Sequence, residues 1–211
     1  MPVARWNQPY APDLMGGGGY YEMAVKIVCP ATLAAAAPIF ALQWKPVATT
    51  GKVYRFQLKW LKLHAIATTG LTAAQIVDFY AYKAKAYPTA YGGGTQNLPA
   101  TLDQKRQGKY QNSQFIAGGD IRYYSTAFTG GAGISLEAIP FLGVSMWGTI
   151  AAGASLNQPA IEEFDEHHVP MTLDTGQGIV IQNGTLLPAA GAVTVWLDLG
   201  WMEEAYGSQV Y

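Results

Sequence analysis

The closing stretch of the chain alternates with a period of two. In Val193-Thr194-Val195-Trp196-Leu197-Asp198-Leu199-Gly200-Trp201, the side chains of Val193, Val195, Leu197, Leu199 and Trp201 share one face, and Thr194, Asp198 and Gly200 share the other. This is the pattern of a β-strand with one face in a core and one face outside it. A short apolar strand in the stretch Gln177 to Thr185 precedes it across a Pro/Gly turn. Trp196 breaks the pattern, being apolar on the polar phase. It should be covered by another sheet, by an arm of the chain or by a neighbouring subunit.

The same alternation recurs upstream. Tyr21, Met23, Val25 and Ile27 alternate with Glu22 and Lys26, and Ile39 to Trp44 forms a short strand closed by Pro46. The longest strand runs from Val53 to Ile66. Tyr54, Phe56, Leu58 and Trp60 fall on one face, with Arg55, Gln57 and Lys59 opposite. At Trp60-Leu61 the phase flips, so that Leu61 and Leu63 become the apolar set, with Lys62 and His64 as the polar set. A one-residue slip of this kind predicts a β-bulge or a crossing between sheets. Further strands are expected over Gln75–Lys85, Ile121–Ser125, Ile134–Ile139 and Leu142–Trp147, while 32–37 reads as a helical turn or loop. Tyr91 to Lys109 reads as a long polar loop, and Glu162 to His168 as a charged one. Some eight to ten strands with turn signals between them predict an all-β protein, an antiparallel β-sandwich. The length and the mixed connections suit a jelly roll. Residues 1–20, with Pro2, Pro9, Pro12 and the run Gly16–Gly19, read as an extended N-terminal arm carrying Trp6 and Tyr10, leaving 21–211 as the β-domain.

Composition narrows the partners. Only 13% of the 211 residues are charged, about half the usual share, which suits a protein that covers surface against neighbours. The net charge of −1 conceals an asymmetry: residues 1–110 hold 12 Lys/Arg and 4 Asp/Glu, whereas 111–211 hold Arg122 alone against 10 acids. Either the two halves interleave in one fold, or they present complementary faces between subunits. The cations are scattered through strands, so no direct nucleic-acid contact is expected. Met1–Trp6 has no apolar segment of the kind that opens a secretory signal. The uncharged stretch from Ala138 to Ile161 is broken by Pro140, Gly143, Gly148, Gly153 and Pro159, which argues against a membrane span.

No catalytic pattern accompanies the strands. Gly-x-Ser-x-Gly is absent, and neither glycine run ends in the Gly-Lys-Ser/Thr of a phosphate loop. The lone cysteine, Cys29, reads as a small buried apolar residue. His64 sits on a polar phase. The Glu162–His168 segment has oxygen and imidazole ligands for a metal, but a solvated or partner-facing acidic loop is the stronger reading. Tyr80, Tyr82, Tyr87, Tyr91, Tyr123 and Tyr124 could stack on sugars or pack in a core or interface.

Several stretches together resemble a known family. They are Gly51–Arg55, Thr68–Asp78 with Phe79–Ala84, Gly92–Thr95, Gly176–Asn183, Ala190–Trp196 and the closing Gly200-Trp201-Met202-Glu203-Glu204. Over about residues 50–204 the chain resembles virion structural proteins of tailed bacteriophages. The resemblance implies a jelly-roll head-decoration or cement protein, located in the virion, without enzymatic activity or cofactor. It implies a homo-oligomer, a trimer, bound to the phage major capsid protein, with no membrane partner. The candidate contact residues are Trp6 and Tyr10 in the arm, Tyr91, Lys105 and Arg106 in the long loop, Glu162, Glu163, Asp165 and Glu166 in the acidic loop, and Trp196. A carbohydrate-binding or receptor-binding module on a phage particle is the alternative.

Overall fold

A computed structural model describes residues 19–46, 52–96, 104–106, 119–148, 160–163 and 171–207. Among these residues every regular element is a strand, and every pairing is antiparallel. The protein is an all-β sandwich, as its alternating sequence requires.

Eight strands carry the sandwich: β1 (Gly19–Cys29), β2 (Pro38–Trp44), β3 (Lys52–Thr69), β4 (Gln75–Ala86), β11 (Leu142–Gly148), β12 (Ala160–Glu163), β14 (Gln177–Asn183) and β15 (Ala192–Gly207). The first sheet is ordered β12-β3-β15-β1. The second has β14 between β4 and β2, with β11 on the far side of β4. Successive members of this set therefore alternate between sheets, apart from β4 and β11, which pair with each other. The pairings are nested: β4 with β11, β3 with β12, β2 with β14, β1 with β15. The contacts of β15 with β3 and of β14 with β4 join the two arms of this nest.

Short strands extend the edges. β7 (Gln104–Arg106) adds to β1, and β8 (Asp120–Tyr123) and β6 (Thr95–Gln96) add to β2. β10 (Ser135–Leu136) continues the β11 edge, and β13 (Thr172–Leu173) pairs with β3. β5 (Tyr91–Gly92) and β9 (Thr129–Gly130) form a separate ribbon.

The predicted phases decide what is buried. Val193, Val195, Leu197, Leu199 and Trp201 all lie in the core, opposite Ile179 and Ile181 of the second sheet. An aromatic column runs across the inner face. Tyr21 stacks on Trp201 at 5.5 Å, Trp201 on Phe56 at 6.0 Å, and Phe56 meets Trp44 of the second sheet at 5.7 Å. The Trp201 indole Nε1 donates to Glu203 Oε1 at 3.0 Å, so the column ends on a buried carboxylate.

The phase slip in β3 is a bulge. Leu58 pairs with Trp201 and Trp60 with Gly200, which leaves Lys59 as the extra residue. The flip thus falls one position earlier than the side-chain pattern suggests. Trp60 belongs to the outer face, not to the set of Tyr54, Phe56 and Leu58, because the bulge turns it outward before Leu61 returns to the core.

Other segments also depart from the sequence reading. The long polar loop after Tyr91 contains β5, β6 and β7. The charged segment begins as a strand, since Glu162 and Glu163 lie in β12 opposite Leu61 and Trp60. The strand expected over Ile134–Ile139 shrinks to two residues, and Ile139 is 77% exposed. Residues 32–37, by contrast, follow the loop alternative of that reading, forming turns with Thr32 and Ala36 at φ 60°. Gly19 and Tyr20, read from the sequence as the end of an arm, open β1, and residues 1–18 lie outside the described residues.

The charge asymmetry resolves partly within the fold. β1 and β3 from the basic half flank β15 from the acidic half. Arg55 Nε lies 3.6 Å from Asp174 Oδ1, and Lys62 stands opposite Asp198 in the register.

Cys29 lies buried at the end of β1, and burial pushes its thiol up to about 12. The thiolate is the reactive species. Native protein at pH 8 should therefore react with Ellman's reagent only at the rate of its opening, and one thiol should appear at once in denaturant. Rapid labelling of native protein would mean that the β1 end is open. Because the folded-state pKa is raised, this group lowers stability as pH climbs above 9.0, the ordinary value of the thiol.

Candidate functional site

The two sheets differ in what covers their outer faces. On the second sheet, Ala41, Ala84 and Val180 occupy outward positions and are buried. Small apolar residues there make room for a cover formed by the segments 87–96 and 124–136. Tyr87 meets Tyr91 edge-on at 5.8 Å, and Tyr91 packs on Phe128 at 5.2 Å. Burial pushes the phenols of Tyr87 and Tyr91 upward.

Polar contacts tie this cover down. Gln43 Nε2 donates to the Tyr87 carbonyl at 2.5 Å. Arg122 Nε reaches Asp120 Oδ2 at 2.6 Å and its Nη1 reaches the Gly93 carbonyl at 2.9 Å, while Gln96 Nε2 donates to Asp120 Oδ1 at 2.6 Å. Tyr91, expected as a partner contact, is half-buried inside this intrachain cluster.

The first sheet keeps an outer face with exposed chemistry. Register places three rows across β1, β15 and β3: Lys26–Trp196–His64, Ala24–Asp198–Lys62 and Glu22–Gly200–Trp60. Trp196 is 39% exposed. The His64 ring stacks on its indole at 5.6 Å and 27°, and Lys26 Nζ lies 5.9 Å from its centroid. At the other end, Trp60 lies over Gly200, where an added Cβ would meet the indole at 2.4 Å. Trp60 Nε1 donates to Asp198 Oδ1 at 3.4 Å, and Lys62 Nζ stands 5.8 Å from the Trp60 centroid.

Beside Trp196 the short Ala24 and Asp198 leave a hollow of about 510 Å³, walled by Lys26, Lys62, His64 and Trp196. Such a volume falls within the range of small-molecule sites. Among the described residues Trp196 is thus covered only in part, by residues of its own sheet. Sequence spacing singled out Trp196 but not Lys26, Lys62, His64 or Asp198 as its companions, because strand register alone brings them together.

The remaining expected contact residues scatter. Lys105 and Arg106 lie in β7, opposite Glu22 and Tyr21 of β1. Glu162 and Glu163 lie in β12 at the far edge of the same sheet. Trp6, Tyr10, Asp165 and Glu166 lie outside the described residues. Among the described residues no group of three His, Cys, Asp or Glu side chains could hold a metal ion, and no helix is long and apolar enough to cross a membrane. No protein-family model matches the chain, and no curated protein matches its sequence.

Proposed function

We propose that this chain is a structural protein of a tailed-phage virion, a jelly-roll decoration or cement protein that self-associates and packs on the capsid shell. The observation that carries this reading is the nested strand order. The pairs β4–β11, β3–β12, β2–β14 and β1–β15 amount to one long antiparallel hairpin rolled into two sheets. That winding supports a jelly roll, an architecture that viral capsid domains use. Apolar side chains at the edge of the second sheet add support. Ile76 and Trp147 face each other across β4 and β11 and are about half exposed, and β11 is an edge strand among the described residues. An edge bearing exposed apolar residues is a natural surface for another chain. The low charge content agrees with a surface largely buried in an assembly.

Light scattering should give a mass about three times the 22.7 kDa of the chain, and the protein should co-sediment with the shell of its particle. The substitution Trp147→Asp should weaken self-association by burying a charge at the contact. A monomer at micromolar concentration that leaves shells in the supernatant overturns the reading.

A further inference from the structure

We infer that Asn183-Gly184 is a latent deamidation site, sealed by the fold, at which any opening of this end of the sandwich becomes irreversible damage. Virion assembly plays no part in it. The chain has a single Asn-Gly pair, and it stands where β14 ends. Glycine has no side chain to hinder its own backbone nitrogen, so that nitrogen can attack the preceding Asn side chain. In the reaction the Gly184 nitrogen gives up its proton and bonds to Asn183 Cγ. The Cγ–Nδ2 bond breaks and ammonia leaves. Water, the only co-reactant, then opens the cyclic imide at either carbonyl, leaving aspartate or isoaspartate at position 183.

Packing requires both residues of this labile pair. Asn183 is fully buried, and its Nδ2 donates to the carbonyls of Leu33 at 3.1 Å, Ala34 at 3.1 Å and Thr185 at 2.5 Å. One uncharged amide thus ties the 32–37 turns to the segment that follows β14. Gly184 lies against the Tyr80 ring, where an added Cβ would meet Cε2 at 2.5 Å.

The same contacts hold the reaction off. The Gly184 N–H donates to the Asp78 carbonyl at 2.7 Å, so the attacking nitrogen is engaged. The Asn183 N–H donates to the Ala37 carbonyl at 2.9 Å, and its own carbonyl accepts from the Ala36 N–H at 2.6 Å, which fixes the backbone beside the ring to be closed. Among the described residues no donor reaches Asn183 Oδ1. The oxyanion of the tetrahedral intermediate would therefore form in a buried place without a hydrogen bond.

Neither product fits the site. A carboxylate at 183 would turn a buried charge toward three carbonyl oxygens. Isoaspartate would add a backbone atom beside the Asn183–Phe79 pair of β14 and β4. A converted chain cannot close this end again, so opening becomes one-way.

Peptide mapping by mass spectrometry tests this on the full chain, held at mildly alkaline pH in buffer or in concentrated urea. Conversion at Asn183 should be at least about a hundredfold slower in buffer than in urea. On dilution from urea, unconverted chain should recover its near-ultraviolet dichroism and converted chain should not. Leu187 is buried in the sealing segment, and its N–H donates to the Leu33 carbonyl. Leu187→Ala should speed conversion in buffer about tenfold or more, up to the urea rate if the variant unfolds, and leave the rate in urea unchanged. Asn183→Asp, which makes the product directly, should lack a cooperative urea transition.

Equal rates in buffer and urea overturn the seal, as does a Leu187→Ala rate in buffer equal to that of the parent chain. An Asn183→Asp chain that keeps the parent's urea midpoint overturns the damage, as does full refolding of converted chain. None of these outcomes touches the assembly reading, which the Trp147→Asp measurement decides separately.

Discussion

Replacing Trp201 by Ala should lower the free energy of unfolding by about 4 kcal/mol, the cost of emptying a fully buried indole site. The expectation rests on position as well as size. Trp201 is fully buried on the middle strand of the first sheet and touches rings from both neighbouring strands, Tyr21 and Phe56. Phe56 passes the contact on to Trp44 in the opposite sheet. Removal therefore opens a cavity at the point where the two sheets are keyed together, and neighbouring rings cannot all collapse into it.

Trp201→Phe separates packing from hydrogen bonding. It keeps most of the ring but deletes the Nε1 donor to buried Glu203, and should cost about 1–3 kcal/mol. Urea unfolding followed by far-ultraviolet circular dichroism reads both, provided the slope is constant across variants. A loss below about 2 kcal/mol for the Ala variant would mean that the aromatic column does not join the sheets.

The phases that put Trp201 inside were legible in the sequence, because period-two alternation reports one buried face directly. The same holds for most of β3, β4 and β1. Strand partners were not legible, since nothing local links Lys26 to Trp196 or Glu203 to Phe56. They are set by how the nest of hairpins rolls up.

Short polar edge strands were also hidden. Lys105 and Arg106 pair with β1 through backbone groups, and a three-residue charged strand carries no alternation to read. Tyr91 looked like a loop residue beside glycines. The informative signal was elsewhere: Ala41, Ala84 and Val180 on an outward phase announce a face that something covers. Conversely, the charged companions of Trp196 announce a face left accessible, but only after the register is known.

Single-residue deletions should give opposite results at two positions in the same sheet. Deleting Lys59 should leave a folded protein. Lys59 is the extra residue between the pairs Leu58–Trp201 and Trp60–Gly200, so its removal joins two segments whose faces are already in phase. Leu58 stays inside, Trp60 stays outside over Gly200, and Leu61, Leu63, Ala65 and Ala67 keep their core positions. What is lost is the extra bend and twist that a bulge gives its strand, and a cost within about 2 kcal/mol is expected.

Deleting Asp198 should abolish the cooperative fold. β15 is paired on both sides, and loss of one residue sends Leu199 and Trp201 to the outer face while Val193, Val195 and Leu197 remain inside. The bulge in β3 cannot absorb the change, because it already has one residue too many relative to β15, and the deletion makes the mismatch two. Loss of near-ultraviolet dichroism and of a sigmoidal urea transition should mark this variant, against retention of both without Lys59. If the Lys59 deletion also fails to fold, the bend supplied by the bulge is itself required to wrap β3 around the core, and regular pairing with β15 is not sufficient.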